Sequence, residues 1–384
     1  MRKHLVLAGG GHAHLFTLSR LDAFRQAGIA VTCVAPSPFL AYSGMGPGML
    51  SGRYALEELR FDIAAMLQAP SHGAAGHAFV QGRVAAIVAL EKKLVLEDGG
   101  ELAYDALSCA VGSIAEAPFP VAGDEVYPVK PIENLLAARS AIESRAAAGE
   151  AARVLVAGGG AAAFEVAGNV LGLLTRLGIT KPHVTVVAGH GLLPGWPGRA
   201  RRLAYASLTG RGATILCDRV ARYDRCLATL AGGGALSCDV LLVATGTRPP
   251  GFLARSGLSL TPDGGLDVNA FLQSPLFPEI FGGGDCVRFA PRPLPRAGVY
   301  AVRQGPVLYA NLLAALTGGA LTPFRRTGTN YLALLNCGDG RAILRKGPFV
   351  FQGRWCMALK DLIDRRFMRS FPPPYPSPGP DRPA

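Results

Sequence analysis

The chain has 384 residues, which suits two or three domains, and at 49% hydrophobic it can bury a substantial core, which excludes a disordered protein. Forty-nine glycines against 8% aromatics fit an α/β protein with many tight turns. The net charge of +12 favours an anionic contact (nucleotide phosphates, acidic lipid headgroups or nucleic acid) or serves solubility alone, and no aromatic-basic motif supports the nucleic acid.

Eight cysteines, at 33, 109, 217, 226, 238, 286, 337 and 356, form no Cys-x-x-Cys and no zinc-like spacing with histidine, so no metal is expected. Cys33 and Cys109 lie in apolar runs that suit buried thiols. Scattered, unpaired cysteines point to a reducing compartment. Met1-Arg2-Lys3 leads directly into a strand without a signal-peptide pattern, and no apolar stretch is long enough to span a membrane. A cytoplasmic protein is expected, free or peripheral on the inner face of a membrane.

Residues 4–8 read as a buried parallel strand, 12–26 as the helix after it and 30–34 as a second strand, a βαβ unit. Residues 56–68 read as helical and 78–111 as short strands, the last ending in Gly112-Ser113. A second βαβ unit opens at 153, with a helix over 163–177 and a strand over 183–187. Strand-like runs follow at 213–217 and 226–230, and then at 240–244, which enters Thr245-Gly246-Thr247-Arg248-Pro249. Ile280-Phe281-Gly282-Gly283-Gly284-Asp285 is another strand ending in a turn and an acid. Residues 297–317 read as a helix, and 321–371 mixes strands with one basic helix. The tail, 372–384, is rich in Pro, Ser and Gly and is expected to be disordered. The fold class is therefore α/β: two doubly wound, Rossmann-like dinucleotide-binding domains with the second inserted in the first. The expected divisions are 1–115 with 247–320, then 116–246, then a small C-terminal capping region at 321–371.

The two glycine-rich turns carry the chemistry. In Leu7-Ala8-Gly9-Gly10-Gly11-His12-Ala13-His14, Gly9 permits the bend and Gly11 lets the backbone approach a pyrophosphate at a helix N-terminus. His14 stands at the third, packing position of the fingerprint. In Val156-Ala157-Gly158-Gly159-Gly160-Ala161-Ala162-Ala163-Phe164-Glu165, the three roles fall to Gly158, Gly160 and Ala163. Two such turns suggest two nucleotides face to face, as an electron-transfer flavoprotein needs. The acid that binds an adenosine ribose is missing after both second strands. The first ends Val34-Ala35-Pro36-Ser37, where Ser37 offers a weaker hydrogen bond. The second ends Val187-Ala188-Gly189-His190. An acid there would have favoured NADH and a basic residue NADPH. His190 and the Arg199, Arg201, Arg202 group either reach a 2′-phosphate or form a solvated helix face. Asp285 can accept hydrogen bonds from a flavin ribityl chain.

In this order the motifs resemble those of the two-dinucleotide-domain flavoproteins, the pyridine nucleotide-disulfide oxidoreductase superfamily, over residues 4–320. The matching elements are Gly9-x-Gly11, Gly158-x-Gly160-x-x-Ala163-x-Glu165, Ala244-Thr245-Gly246 and Gly284-Asp285. The resemblance implies FAD on the first domain and NAD(P)H on the second. It makes Gly9, Gly11, His12, Ala13, Ser37, Ser43, Gly112, Gly158, Gly160, Ala163, Gly246, Gly284, Asp285 and Gln304 the candidate cofactor-binding residues, with Tyr42, Ser43 and Met45 lining the flavin pocket. His12 and His14 fall near the flavin phosphates, with packing their expected role. The segment 41–48 lacks the cysteine pair of the disulfide reductases, and Ala161 and Ala162 stand where sulfide:quinone reductases carry a cysteine.

Type II NADH dehydrogenases also lack that pair and carry a glutamate at the position of Glu165, which becomes the candidate catalytic residue; its alternative reading is an acid favoured by the helix dipole. Of their glutamine-rich segment near the quinone, this chain keeps only Gln304. Gly9 to His14, Tyr42-Ser43-Gly44-Met45, Pro47-Gly48 and Leu192-Leu193-Pro194-Gly195 are similar to the type II NADH dehydrogenase-like module also found fused ahead of selenide, water dikinase.

In 354–371, Trp355, Leu359, Leu362, Ile363 and Phe367 share one helical face, with Lys360, Arg365 and Arg369 elsewhere. That face suits either an anionic membrane surface or the body of the protein. The expected function is an FAD-dependent NAD(P)H oxidoreductase passing electrons to a quinone or to a small selenium or sulfur species, with a homodimer as one assembly. The alternative is a flavin-binding module that docks on a partner without turnover.

Overall fold

Both glycine-rich turns leave the middle strand of a five-stranded parallel sheet. In the computed structural model, which describes residues 2–68, 76–328 and 330–371, the first sheet runs Ile280–Gly282, Ala106–Cys109, His4–Ala8, Ala30–Ala35, His77–Gln81. The expected disordered tail, 372–384, lies outside the described residues. Leu5, Val6 and Leu7 are all fully buried, because helices and loops cover both faces of such a sheet and the strand must be apolar on both sides. The second sheet runs Val126–Pro128, Val240–Val243, Arg153–Ala157, His183–Val187, Thr214–Leu216, and all its strands fall in chain order between Cys109 and Ile280. Each sheet is accompanied by an antiparallel meander: Val84–Val88, Lys93–Leu96 and Glu101–Ala103 in one, Val220–Asp224, Leu227–Leu230 and Ala235–Ser237 in the other.

Two expected helices are broken. Residues 12–26 form two short pieces, Leu15–Leu18 and Asp22–Gln26. Between them the Ser19 hydroxyl donates to Phe16 O at 3.0 Å, and Arg20 N–H reaches back only three residues, to Thr17 O. These tight bonds end the first piece. Residues 56–68 form a 3₁₀ turn, Leu56–Leu59, a strand, Arg60–Asp62, and a helix, Ile63–Gln68. The strand exists because it pairs antiparallel with Phe39–Ala41, a long-range contact that helical periodicity does not reveal.

The C-terminal region is a three-stranded antiparallel sheet, Ala333–Asn336, Ala342–Lys346 and Phe349–Gly353, followed by the helix Arg354–Arg369. It shares one continuous core with the second sheet and the short helix Pro47–Leu50, while the first sheet has its own. The contact is backbone on backbone. Along the helix Ala161–Arg176, a Cβ on Gly168 would lie 2.5 Å from Cys337 O, and one on Gly172 would lie 2.2 Å from Gly338 O. Glycine weakens a helix interior by about 1 kcal/mol relative to alanine, and here that loss permits close approach.

Gly172→Ala therefore destabilises the protein by about 1–3 kcal/mol in urea denaturation, although alanine is the better helix former. A gain in stability would show that the 337–340 loop gives way freely.

Candidate functional site

In the first turn, Gly9 has φ 87°, open only to glycine without strain, and its N–H donates to Val34 O at 2.8 Å. Gly11 donates to Ala110 O at 3.0 Å, and a Cβ on it would meet that oxygen at 2.2 Å. The adjacent strand exit thus also requires glycine at position 11. Ala13 is buried, and a Cβ on Gly283 would lie 3.0 Å from its methyl, so its side chain packs against that turn. His14 is fully buried. Its Nδ1 donates to Gly9 O at 2.6 Å, so Nε2 accepts from the Ser108 hydroxyl at 2.8 Å. Burial lowers its pKa to about 4 against that backbone bond, keeping it neutral and structural.

The second turn differs at the matching place. A Cβ on Gly158 would lie 2.2 Å from Ala244 O, but one on Gly160 would have nothing within 4 Å. Gly160 caps the helix Ala161–Arg176 without a side-chain cap. Open ground therefore lies before the unpaired N–H groups of a 16-residue helix, where an anion is favoured. Ala163 is fully buried in the helix and packs, as its fingerprint position expects. Gly246 and Gly112, at the ends of their strands, also have empty space where a Cβ would stand.

Across the mouth of the first sheet, Asp285 Oδ2 accepts from Lys130 Nζ and from the Ser113 hydroxyl, both at 2.8 Å. Burial works to raise the Asp285 pKa, but Lys130 and these hydrogen bonds outweigh it and hold the carboxyl below its usual range. Gln304, buried, accepts the Gly284 N–H through Oε1 at 2.7 Å, so it fixes the Gly284–Asp285 turn. Ser37 Oγ accepts the Phe39 N–H at 3.1 Å and shapes its own turn, and Ser43 is half-buried near Gly298. His12 Nε2 is buried with no hydrogen-bond partner. Burial drives its pKa down to about 4, with Asp285 opposing and Lys130 assisting. An orphaned buried nitrogen at the first turn, beside a fixed carboxylate and open ground over Gly112, fits the phosphate and ribityl groups of FAD.

Glu165 lies where three parts of the chain meet. Its Oε1 accepts the Asn336 N–H at 2.8 Å. Asn169 sits one turn on, donating to Glu165 O and accepting from the Ser51 hydroxyl and the Asn336 amide. Burial raises the Glu165 pKa to about 7; Lys360 and the Asn336 N–H pull it down, and Asp364 pushes it up. Lys360 and Asp364 are 6% and 5% exposed. Lys360 Nζ donates to Asp364 Oδ2 at 2.8 Å and to Gly44 O at 2.7 Å, and the Tyr42 hydroxyl donates to Asp364 Oδ1 at 3.1 Å. Burial, first, and Asp364 raise the Tyr42 pKa, so it stays protonated. Beside them the Phe367 ring lies 4.9 Å from Tyr42 and 6.4 Å from His12.

The sequence did not single out Lys130, Asn169, Asn336 or Asp364 for the site. The one legible signal was Lys360 and Asp364, four apart on the same helical face as Cys356 and Met357. That face is the buried one, and it corrects the expectation for the helix. Trp355, Leu362 and Ile363 are 54%, 65% and 39% exposed, while Leu359 and Phe367 pack against the core. The charged pair goes inside because Gly44 O and the Tyr42 hydroxyl satisfy it there.

Glu165 binds its proton more tightly folded, near pH 7, than unfolded, near 4.5. Between those values the native state holds more protons than the unfolded one, so this residue's contribution to stability falls as pH rises. Glu165→Gln should gain on the wild type across that window, by a few kcal/mol in all, when denaturation is compared at each pH. A constant gap would place the Glu165 titration elsewhere.

Residues 3–305 match the family model for pyridine nucleotide-disulphide oxidoreductases. The chain is 27% identical over 286 residues to ferroptosis suppressor protein 1 of Taeniopygia guttata, covering 69% of this chain and 71% of that one. Its fold is similar to NDH2 from Plasmodium falciparum in complex with NADH (TM-score 0.79, 13% identity, 97% and 98% of the two chains). It is also similar to sulfide:quinone oxidoreductase from Aquifex aeolicus (TM-score 0.76, 16% identity, 96% and 91%). The chain belongs to the pyridine nucleotide-disulphide oxidoreductase family, as an oxidoreductase that works with FAD and NAD(P)H.

Proposed function

We propose that this protein is an NAD(P)H:quinone oxidoreductase that works at a membrane surface, with FAD held by 1–115 and 247–320 and the nicotinamide nucleotide by 116–246. The observation that carries the reading is the helix Arg354–Arg369, which turns Lys360 and Asp364 toward Glu165 and turns apolar side chains outward. The balanced reaction takes NAD(P)H, one proton and a quinone to NAD(P)⁺ and a quinol. When bound, FAD accepts two electrons from one substrate and passes them to the other.

In this reading the N–H groups behind Gly160 hold the nucleotide pyrophosphate, and the Gly9–His12 turn with Asp285 holds FAD. Lys130 fixes the Asp285 carboxylate at 2.8 Å, so its oxygens are oriented in advance. With a pKa of about 7, Glu165 holds a proton at its free Oε2 and can release it at neutral pH. Lys360 favours the carboxylate left behind, and Tyr42 and Phe367 wall the approach for an aromatic acceptor.

Leu362, Ile363, Trp355, Phe349 and Phe351 are exposed large apolar groups of this end, flanked by Arg354, Arg366 and Arg369. Apolar side chains rimmed by arginine suit an anionic lipid interface. Among the described residues, no helix is long and apolar enough to cross a membrane, so attachment in this reading is superficial.

Anaerobic NAD(P)H should bleach the flavin absorbance of the FAD-loaded protein, and a short-chain quinone should restore it; failure to bleach would sink the reading. In steady state, Glu165→Gln should lower kcat with quinone by about 10²-fold. It should also remove the decline in rate expected as pH rises through about 7, where the wild-type donor loses its proton. Combining Trp355→Asp with Leu362→Asp should weaken binding to vesicles containing phosphatidylglycerol by about tenfold or more while the protein retains FAD. Unchanged sedimentation with vesicles would remove the membrane from the proposal.

A further inference from the structure

We propose that the nucleotide used by this chain is NADPH in preference to NADH, its 2′-phosphate selected by Arg219 and His190. This rests on the second glycine turn as the pyrophosphate site. The loop 188–191 forms the wall beside that turn. Gly158 N–H donates to Val187 O at 2.8 Å, Leu193 N–H donates to Gly159 O at 2.7 Å, and a Cβ on Gly159 would meet Gly191 O at 2.3 Å. In a doubly wound domain the adenosine ribose lies here, at the end of the second strand.

A 2′-hydroxyl needs an acceptor, commonly a carboxylate, whereas a 2′-phosphate needs donors and positive charge. The wall reads Ala188, Gly189, His190, Gly191, with Ala188 fully buried. Arg219 arrives just beyond the strand Thr214–Leu216, which pairs with His183–Val187. Its side chain lies flat over Gly189, with Cγ and Nε 2.9 and 3.0 Å from where a Cβ would stand. Any larger residue at 189 would displace it. Nη2 donates to His190 Nε2 at 3.3 Å. No carboxylate among the described residues pairs with its guanidinium. The adjacent Asp218 is turned away, its Oδ1 accepting the backbone N–H of Arg219 at 2.7 Å and of Gly232 at 3.1 Å. On the far side, the Tyr205 hydroxyl and Arg201 Nη2 lie 3.1 and 3.9 Å from a Cβ position on Gly191. The sequence pointed to His190 and the helix arginines; Arg219, 29 residues further on, is supplied by the sheet.

The test is isothermal titration of the full-length, FAD-loaded protein with NADP⁺, NAD⁺, 2′,5′-ADP and 5′-AMP. The expected result is tighter binding of both 2′-phosphorylated ligands by about tenfold or more, a gap that narrows with salt. Arg219→Gln should bring the NADP⁺ to NAD⁺ ratio close to one, and Arg219→Glu should invert it. Arg219 is exposed, so these variants are expected to fold, and retained FAD checks it. Equal wild-type affinities, or a preference that survives Arg219→Gln, would overturn the proposal while leaving the nucleotide site intact. If none of the four ligands binds, the reading of the second turn fails with it.

Discussion

A buried ammonium and a buried carboxylate on the last helix tie the molecule together. Removing Lys360 and Asp364 from water is expensive unless every remaining hydrogen-bonding position is filled. Filling them takes Gly44 O and the Tyr42 hydroxyl from the segment after the second strand, with Glu165 from the inserted sheet's first helix close enough to feel both charges. The pair is therefore satisfied only when the C-terminal region, the 42–50 segment and the helix Ala161–Arg176 are docked together. The glycines at 168 and 172 permit that docking by letting the 337–338 backbone approach the helix directly.

The same constraint gives the C-terminal helix a mixed inner face. An amphipathic helix at a protein surface ordinarily turns its apolar stripe inward. Here Lys360 and Asp364 are inside and Leu362 is outside. The inward face sets Cys356 and Met357 beside this polar pair, and Leu362 and Trp355 stand exposed on the other side.

A second ion pair lies by His12. Lys130, from the chain entering the inserted sheet, reaches Asp285 at the exit of the first sheet's last strand. It joins the two parallel sheets by a charge-assisted bond, close to the first glycine turn. His12 remains neutral there because burial disfavours its charge more than Asp285 favours it. The first turn thus lies beside a carboxylate paired with an ammonium, while the second opens on a helix terminus.

The sequence by itself determined the two glycine turns, the apolar parallel strands that lead into them, and the absence of an acid after either second strand. These are local signals: a continuous buried strand, a tight bend and a helix start are written in adjacent residues. Membership of the family was legible for the same reason, since its motifs are short and in order. Only the tertiary structure decided which side chains those turns would meet. Periodicity found an apolar face on the last helix but could not show that its polar face would be buried, because that depends on Gly44, Tyr42 and Glu165, more than a hundred residues away. It read a helix over 56–68 where pairing with Phe39–Ala41 draws out a strand. It could not show that a Cβ on Gly11 would meet the Ala110 carbonyl. Lys130 and Arg219 are unremarkable in sequence and acquire meaning when the sheets bring them to Asp285 and to Gly189. Close approach, burial and charge pairing are properties of position in space, and for these residues the chain supplies that position only by folding.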